Sequence, residues 1–221
     1  MKGRSYFSIL MGMVWILSVS MVQGQEKPRL LLSAAAQKNH QMKMNDKKNA
    51  EGLQHAHALA MEGAGKALFL GTHVGLFRSD DGGRTWKKVS LSAKHSHVDV
   101  MAVTPDRKDP KTIYVATHEA GVLKSIDGGV TWKEVNKGLG GLDVHALTID
   151  PTAPAKLHAA VRDKREGIYR TTDGGAKWIR VDDGPGGEVK ILASVDLPTG
   201  MGGIFLYAGT SEGLQRSPDC F

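Results

Sequence analysis

Histidine and carboxylate recur together along this chain. His55 and His57 stand two apart in "HAHALAM", His73 and His118 each follow a threonine in "GTHVG" and "ATHEAG", and His145 opens "HALTI". His97, Asp99, Glu119 and Asp143 lie close to them in sequence. Imidazole and carboxylate together suit zinc, copper, nickel or iron. A second stretch, "SDDGGRTW" at Ser79–Trp86, is acidic and glycine-rich. Three chemistries fit such a composition: a calcium loop, a phosphate cradle or a tight turn. Calcium takes about six to eight oxygens from alternating positions. A phosphate cradle needs a helix after the loop, and no helical period follows here.

The stretch is repeated. It returns as "SIDGGVTW" at 125–132 and "TTDGGAKW" at 171–178, and a fourth copy starts as "SPDCF" at Ser217. The starts at 79, 125, 171 and 217 are 46 residues apart each time. A constant period in this range marks a repeat architecture. Each unit has the same grammar. An apolar run such as "DVMAV" leads to a Pro, Gly or Asp turn. A run such as "TIYVAT" and a short loop follow, then "GVLKS", the acidic motif and "TWKEV". That predicts four short strands per unit, each bounded by turn signals. Four-stranded units at this spacing are the blades of a β-propeller.

Turn chemistry accounts for every residue of the motif. Asp81, Asp127 and Asp173 can accept backbone N–H groups as in an Asx-turn. Gly83, Gly129 and Gly175 permit positive φ. Ser79, Ser125 and Thr171, with Thr85 and Thr131, bring hydroxyls. Trp86, Trp132 and Trp178 open the last strand and bury a large surface. The second and third copies offer one carboxylate each, too few for calcium. Ser217 and Asp219 begin the fourth copy, where Cys220 and Phe221 replace the glycines.

The S/T-x-D-G-G-x-T-W pattern resembles the Asp-box, or BNR, repeat of sialidases, xyloglucan-cleaving glycosidases, sortilin-type receptors and photosystem II stability/assembly factors. The resemblance covers residues 55–221 and implies an all-β propeller. Three full blades and three strands of a fourth fit in that length. The chain is therefore expected to be a fragment; a strand from "RLLLSA" or association with another chain are the alternatives. A sialidase relative would imply an arginine cluster, a Tyr–Glu pair and an acid Asp. The mouth loops supply only Arg162 and Arg165, and no tyrosine falls on an inner strand. A xyloglucanase relative would imply two mouth aspartates, for which Asp99 and Asp143 are the obvious pair.

With strands A to D counted outward from the channel, the A–B and C–D loops share one face and the B–C and D–A loops share the other. The Asp-box is a C–D turn. His55, His57, His73, His97, His118 and His145, with Asp99, Glu119 and Asp143, all map to the opposite face or the adjoining channel wall. They are the candidate ligand or transition-metal set. The same residues could equally line a wet channel, where polar side chains are ordinary.

The chain's surroundings follow from its ends and composition. Lys2 and Arg4 precede an apolar run at 7–22, which reads as a signal peptide over 1–24. An uncleaved membrane anchor is the alternative, although the run is shorter than the ~20 residues a span needs. Residues 25–54 read as a polar linker. Removing 1–24 leaves 27 − 23 = +4 charges, which does not call for nucleic acid. A single cysteine, Cys220, precludes an internal disulfide and suits a bacterial periplasm or cell surface. The leading expectation is an exported, non-catalytic binding or assembly propeller that meets a protein or glycan at its mouth. A glycoside hydrolase of sialidase or xyloglucanase type and a periplasmic metal-binding propeller are the alternatives.

Overall fold

A computed structural model describes residues 53–63, 65–91, 94, 97–163, 165–182, 184–197 and 204–218. The leader, nearly all of the linker with "RLLLSA", and Asp219 lie outside the described residues. The chain is all-β over the described residues, with fifteen antiparallel strands in four sheets, the blades of a β-propeller. Blade 1 holds β1 (Ala56–Met61), β2 (Leu68–Thr72), β3 (Gly75–Ser79) and β4 (Lys87–Val89). Blade 2 holds β5 (Val100–Pro105), β6 (Ile113–Thr117), β7 (Val122–Ser125) and β8 (Lys133–Glu134). Blade 3 holds β9 (Val144–Ile149), β10 (Leu157–Val161), β11 (Gly167–Thr171) and β12 (Ile179–Asp182). Blade 4 holds β13 (Val189–Val195), β14 (Phe205–Thr210) and β15 (Gly213–Pro218). Within each sheet the strands pair in chain order.

The core lies between the sheets. One cluster joins Phe69 and Leu76 of blade 1 to Val100, Ile113 and Trp132 of blade 2. A second joins Tyr114 and Val122 to Leu157, Tyr169 and Trp178 of blade 3. A third joins Ala146 and Ile168 to Leu192 and Leu206 of blade 4. Strands β6 and β10 are buried along their whole length, because an inner blade has a neighbour on both faces. In strand β2, Leu68 and Leu70 stay half-buried while Phe69, Gly71 and Thr72 are buried. The outward faces of the end blades are correspondingly apolar and open. Leu59 and Met61 on β1 are 65% and 62% exposed, and Ile191 on β13 and Leu214 on β15 are 62% and 76% exposed.

The Asp-box is a closed turn. In blade 2, Asp127 Oδ1 accepts from the Ser125 hydroxyl (2.8 Å) and from the amides of Val130 (3.0 Å) and Thr131 (2.9 Å). Asp127 Oδ2 accepts from the Thr131 hydroxyl at 2.5 Å. Ser125 Oγ accepts from Gly129 N at 2.8 Å. Blade 1 repeats this with Ser79, Asp81, Gly83 and Thr85, and blade 3 with Thr171, Asp173 and Gly175. The Thr131 hydroxyl and amide hold the Asp127 carboxyl well below its usual range, at about 2, although the residue is exposed. Gly83, Gly129 and Gly175 have φ of 87°, 90° and 92°, the left-handed region that a side chain would strain. Ser217 lies on β15 opposite Leu206, at the place of the earlier box starts.

The boxes also fasten one blade to the next. Arg78 of blade 1 donates to Gly128 O in the box of blade 2 (2.9 Å), and Lys124 of blade 2 donates to Gly174 O in the box of blade 3 (3.1 Å). Tyr114 Oη donates to the same Gly174 O at 3.2 Å. The tryptophans stand one residue ahead of β4, β8 and β12 rather than opening them. Trp86 and Trp132 donate Nε1–H within their own turns, to Gly83 O and Gly129 O, both at 3.1 Å. Trp178 instead reaches back into blade 2, donating Nε1–H to Val135 O (2.7 Å) and its backbone N–H to Lys137 O (2.8 Å). It is 1% exposed.

Trp178→Ala is therefore expected to cost about 3–5 kcal/mol, the usual range for emptying a buried aromatic site. Trp86→Ala should cost clearly less, because Trp86 is half-buried. Urea unfolding of the two variants measures the difference.

Candidate functional site

Three positions in each blade build the mouth face. The first is the residue just ahead of the inner strand: His55, Asp99, Asp143 and Glu188 in blades 1 to 4. The second is the extra residue of a β-bulge near the start of that strand. The register of β1, β5, β9 and β13 slips at the same place in every blade, over His57, Met101, His145 and Lys190. A bulge re-aims its side chain, and here it turns His57 and His145 towards the mouth loops. The third position is the first residue of the B–C loop: His73, His118, Arg162 and Ser211.

Local bonds set these loops. Thr72 Oγ1 donates to Gly75 O (3.0 Å) and accepts from Val74 N (3.2 Å), which pins the turn carrying His73. Thr117 Oγ1 donates to Gly121 O and accepts from Ala120 N, both at 2.9 Å, around His118. Backbone bonds then tie the B–C loop to the residue ahead of the inner strand. His118 N donates to Asp99 O (3.1 Å), Arg162 N to Asp143 O (2.9 Å) and Ser211 N to Glu188 O (3.0 Å).

The side chains cross the seams. His73 of blade 1 meets Asp99 of blade 2, Nδ1 to Oδ2, at 2.6 Å. His118 of blade 2 meets Asp143 of blade 3, Nδ1 to Oδ1, at 2.8 Å. Arg162 of blade 3 forms an ion pair with Glu188 of blade 4. The bulge residues join in. His57 Nε2 lies 3.2 Å from both His73 Nδ1 and Asp99 Oδ1. His145 Nε2 lies 3.1 Å from Asp143 Oδ1 and 3.0 Å from an Arg162 guanidinium nitrogen. His118 links the groups, its Nε2 standing 3.9 Å from Asp99 Oδ2. One polar chain thus runs across four blades.

Seven of the nine candidate residues are drawn together. His57, His73 and Asp99 form one triad, and His118, Asp143 and His145 form another. His55 joins through ring packing, its centroid 5.4 Å from that of His73. His97 and Glu119 are exposed and belong to neither triad. The bulges, and Glu188 as the ion-pair partner of Arg162, were not found by sequence reasoning. The available signal was the register of "GGEVKILAS" against "GLDVHALTI", which places Glu188 over Asp143.

A sequence model of the Sortilin-Vps10 family, described as "Sortilin, neurotensin receptor 3", matches residues 66–187, more than half of the chain. The chain belongs to the Sortilin-Vps10 family. No curated protein matches it in sequence. Among solved structures it is similar to the GH74 enzyme of Niastella koreensis, at 17% identity, covering 76% of this chain and 29% of that one, with a TM-score of 0.60. It is also similar to YCF48 bound to D1 peptide (18%; 75% and 52%; 0.54). The extracellular domain of BT3049 from B. thetaiotaomicron is a third (17%; 74% and 23%; 0.54). These likenesses are of fold. The chain spans about a quarter to a half of the length of these structures.

In this member of the Sortilin-Vps10 family the two triads differ electrically. Burial, and then the Arg162 guanidinium, hold the His145 imidazole down from its ordinary 6.5 to about 4, against the pull of Asp143. Burial also lowers His57, with Asp99 opposing. A histidine lowered in the folded state stays neutral while the unfolded chain takes up its proton. The protein therefore loses stability as pH falls from 6.5 towards 4, and this effect is absent above that window. In chelator-treated protein, histidine NMR should place the His145 midpoint near 4, and Arg162→Ala should raise it. A native midpoint near the ordinary 6.5 would contradict the geometry.

Proposed function

We propose that this chain is an exported binding propeller that presents its mouth loops to a protein partner and performs no glycoside hydrolysis. The observation behind this reading is the position of His118. Its two ring nitrogens face Asp143 at 2.8 Å and Asp99 at 3.9 Å, so an imidazole stands between the two mouth aspartates that sequence reasoning offered as a catalytic pair. A glycoside hydrolase leaves that gap for the sugar and, in inverting enzymes, for water. Both carboxylates here are engaged by histidines across a blade seam. The result is a fixed polar surface.

Support for a protein partner comes from YCF48, whose structure holds a D1 peptide. Export is supported by the leader-like start of the sequence and by the fold shared with an extracellular domain. The GH74 likeness favours a second reading as a glycosidase, and the filled gap speaks against it.

Two exposed positions separate the faces without touching the core: Glu119 on the mouth side and Arg84 in an Asp-box. A partner captured from the cell envelope should be lost with Glu119→Lys, by a clear weakening of capture, and kept with Arg84→Glu. Chromogenic glycosides and xyloglucan should not be turned over. Turnover abolished by Asp99→Asn or Asp143→Asn would overturn the reading.

A further inference from the structure

The two triads have the same composition but a different build: the bulge histidine shares a blade with the B–C loop histidine in the first and with the aspartate in the second. In the second, Arg162 supplies the positive charge: its guanidinium donates to His145 Nε2 at 3.0 Å and pairs with Glu188. The Nε2 lone pair of His145 is therefore taken. In the first, the B–C loop residue of the aspartate's own blade is His118, whose Nε2 stays 3.9 Å from Asp99. His57 Nε2 and His73 Nδ1 face each other at 3.2 Å with no fixed cation between them and Asp99. Asp99 Oδ1 is buried and has no aligned hydrogen-bond donor among the described residues. A buried carboxylate oxygen left in that state is unfavourable.

We propose that His57 Nε2, His73 Nδ1 and Asp99 bind one divalent transition-metal ion of the zinc class at the seam between blades 1 and 2. Zinc bonded at about 2.0–2.1 Å in a tetrahedron sets its ligand atoms about 3.3 Å apart. The separations from His57 Nε2 to His73 Nδ1 and to Asp99 Oδ1 are both 3.2 Å, while His73 Nδ1 and Asp99 Oδ2, hydrogen-bonded to each other at 2.6 Å, part to admit the ion. Two imidazoles and one carboxylate are a common donor set for such ions. Three ligands leave a coordination position, and His73, 49% exposed, opens the site to solvent and to whatever meets the mouth. The bulge at His57 and the Thr72 turn at His73 fix two of the three ligands through backbone geometry, as a preformed site requires. The second triad carries its own cation in Arg162 and takes no metal. This assignment is independent of the proposed partner, because the isolated protein should bind the ion.

Titration of the purified full chain, free of any histidine tag, with Zn²⁺ by calorimetry tests it, with Co²⁺ absorption reporting ligand geometry. One ion per chain is expected, with a tetrahedral Co²⁺ spectrum. His73→Ala, at an exposed position, and Asp99→Asn should each weaken binding by roughly a hundredfold or more, whereas His145→Ala should change it less than about threefold. Far-UV circular dichroism shows whether each variant is folded, and His73→Ala decides the outcome if Asp99→Asn is not. No binding, binding that survives His73→Ala, or binding lost with His145→Ala instead would overturn the proposal. So would a second equivalent of metal that depends on His145.

Discussion

One small twisted sheet cannot bury both of its faces, and this constraint organises the whole molecule. A blade of three or four short strands finds its second apolar face only in the next blade, so the core is divided among the seams. The Asp-box solves a geometric problem that follows. Its carboxylate gathers the amides and hydroxyls of a tight turn, and the left-handed glycines let the turn close. The turn then offers a backbone carbonyl to a basic residue of the preceding blade. Committing the acid to the turn leaves its carboxylate engaged on that face.

The opposite face inherits the same seams with different residues. There the inner strands begin with a bulge, and the B–C loops are pinned by threonine hydroxyls in blades 1 and 2. Both devices fix backbone first and side chain second. The side chains then span the seams as His73–Asp99, His118–Asp143 and Arg162–Glu188. A contact of this kind couples two blades at the point where a ligand would approach. It also explains why the filled gap at His118 matters: the scaffold resembles that of a GH74 enzyme, yet the space between its mouth carboxylates is taken by an imidazole.

Much of the fold was legible because the box repeats at a constant step and each copy has turn chemistry that admits one reading. The count of three complete blades and three strands of a fourth follows from that ruler, and the sheets have that composition. The mouth face of His57, His73, Asp99, His118, Asp143 and His145 was legible too, since strand order alone fixes which loops share a side. Their pairing was not. A bulge leaves no mark in the alternation of "HALAM" or "HALTI", and which blade a side chain leans towards depends on the twist between sheets. Glu188 was legible in the register of "GGEVKILAS" against "GLDVHALTI", but its pairing with Arg162 across the seam was not. Trp178 shows the limit from the other side: its motif matches the other copies, but blade 2 draws its indole N–H across the seam.

The seam between blades 1 and 2 is thus chemically distinct from the one between blades 2 and 3, although the two share their residue types. Arg162 makes the difference: it donates to the bulge histidine His145 in the second seam, whereas in the first the bulge histidine His57 faces the imidazole of His73. Anomalous diffraction at the zinc edge, from crystals equilibrated with Zn²⁺, distinguishes the two seams directly. One peak is predicted, within bonding distance of His57 Nε2, His73 Nδ1 and Asp99. A peak among His118, Asp143 and His145, or none at either triad, would contradict that distinction.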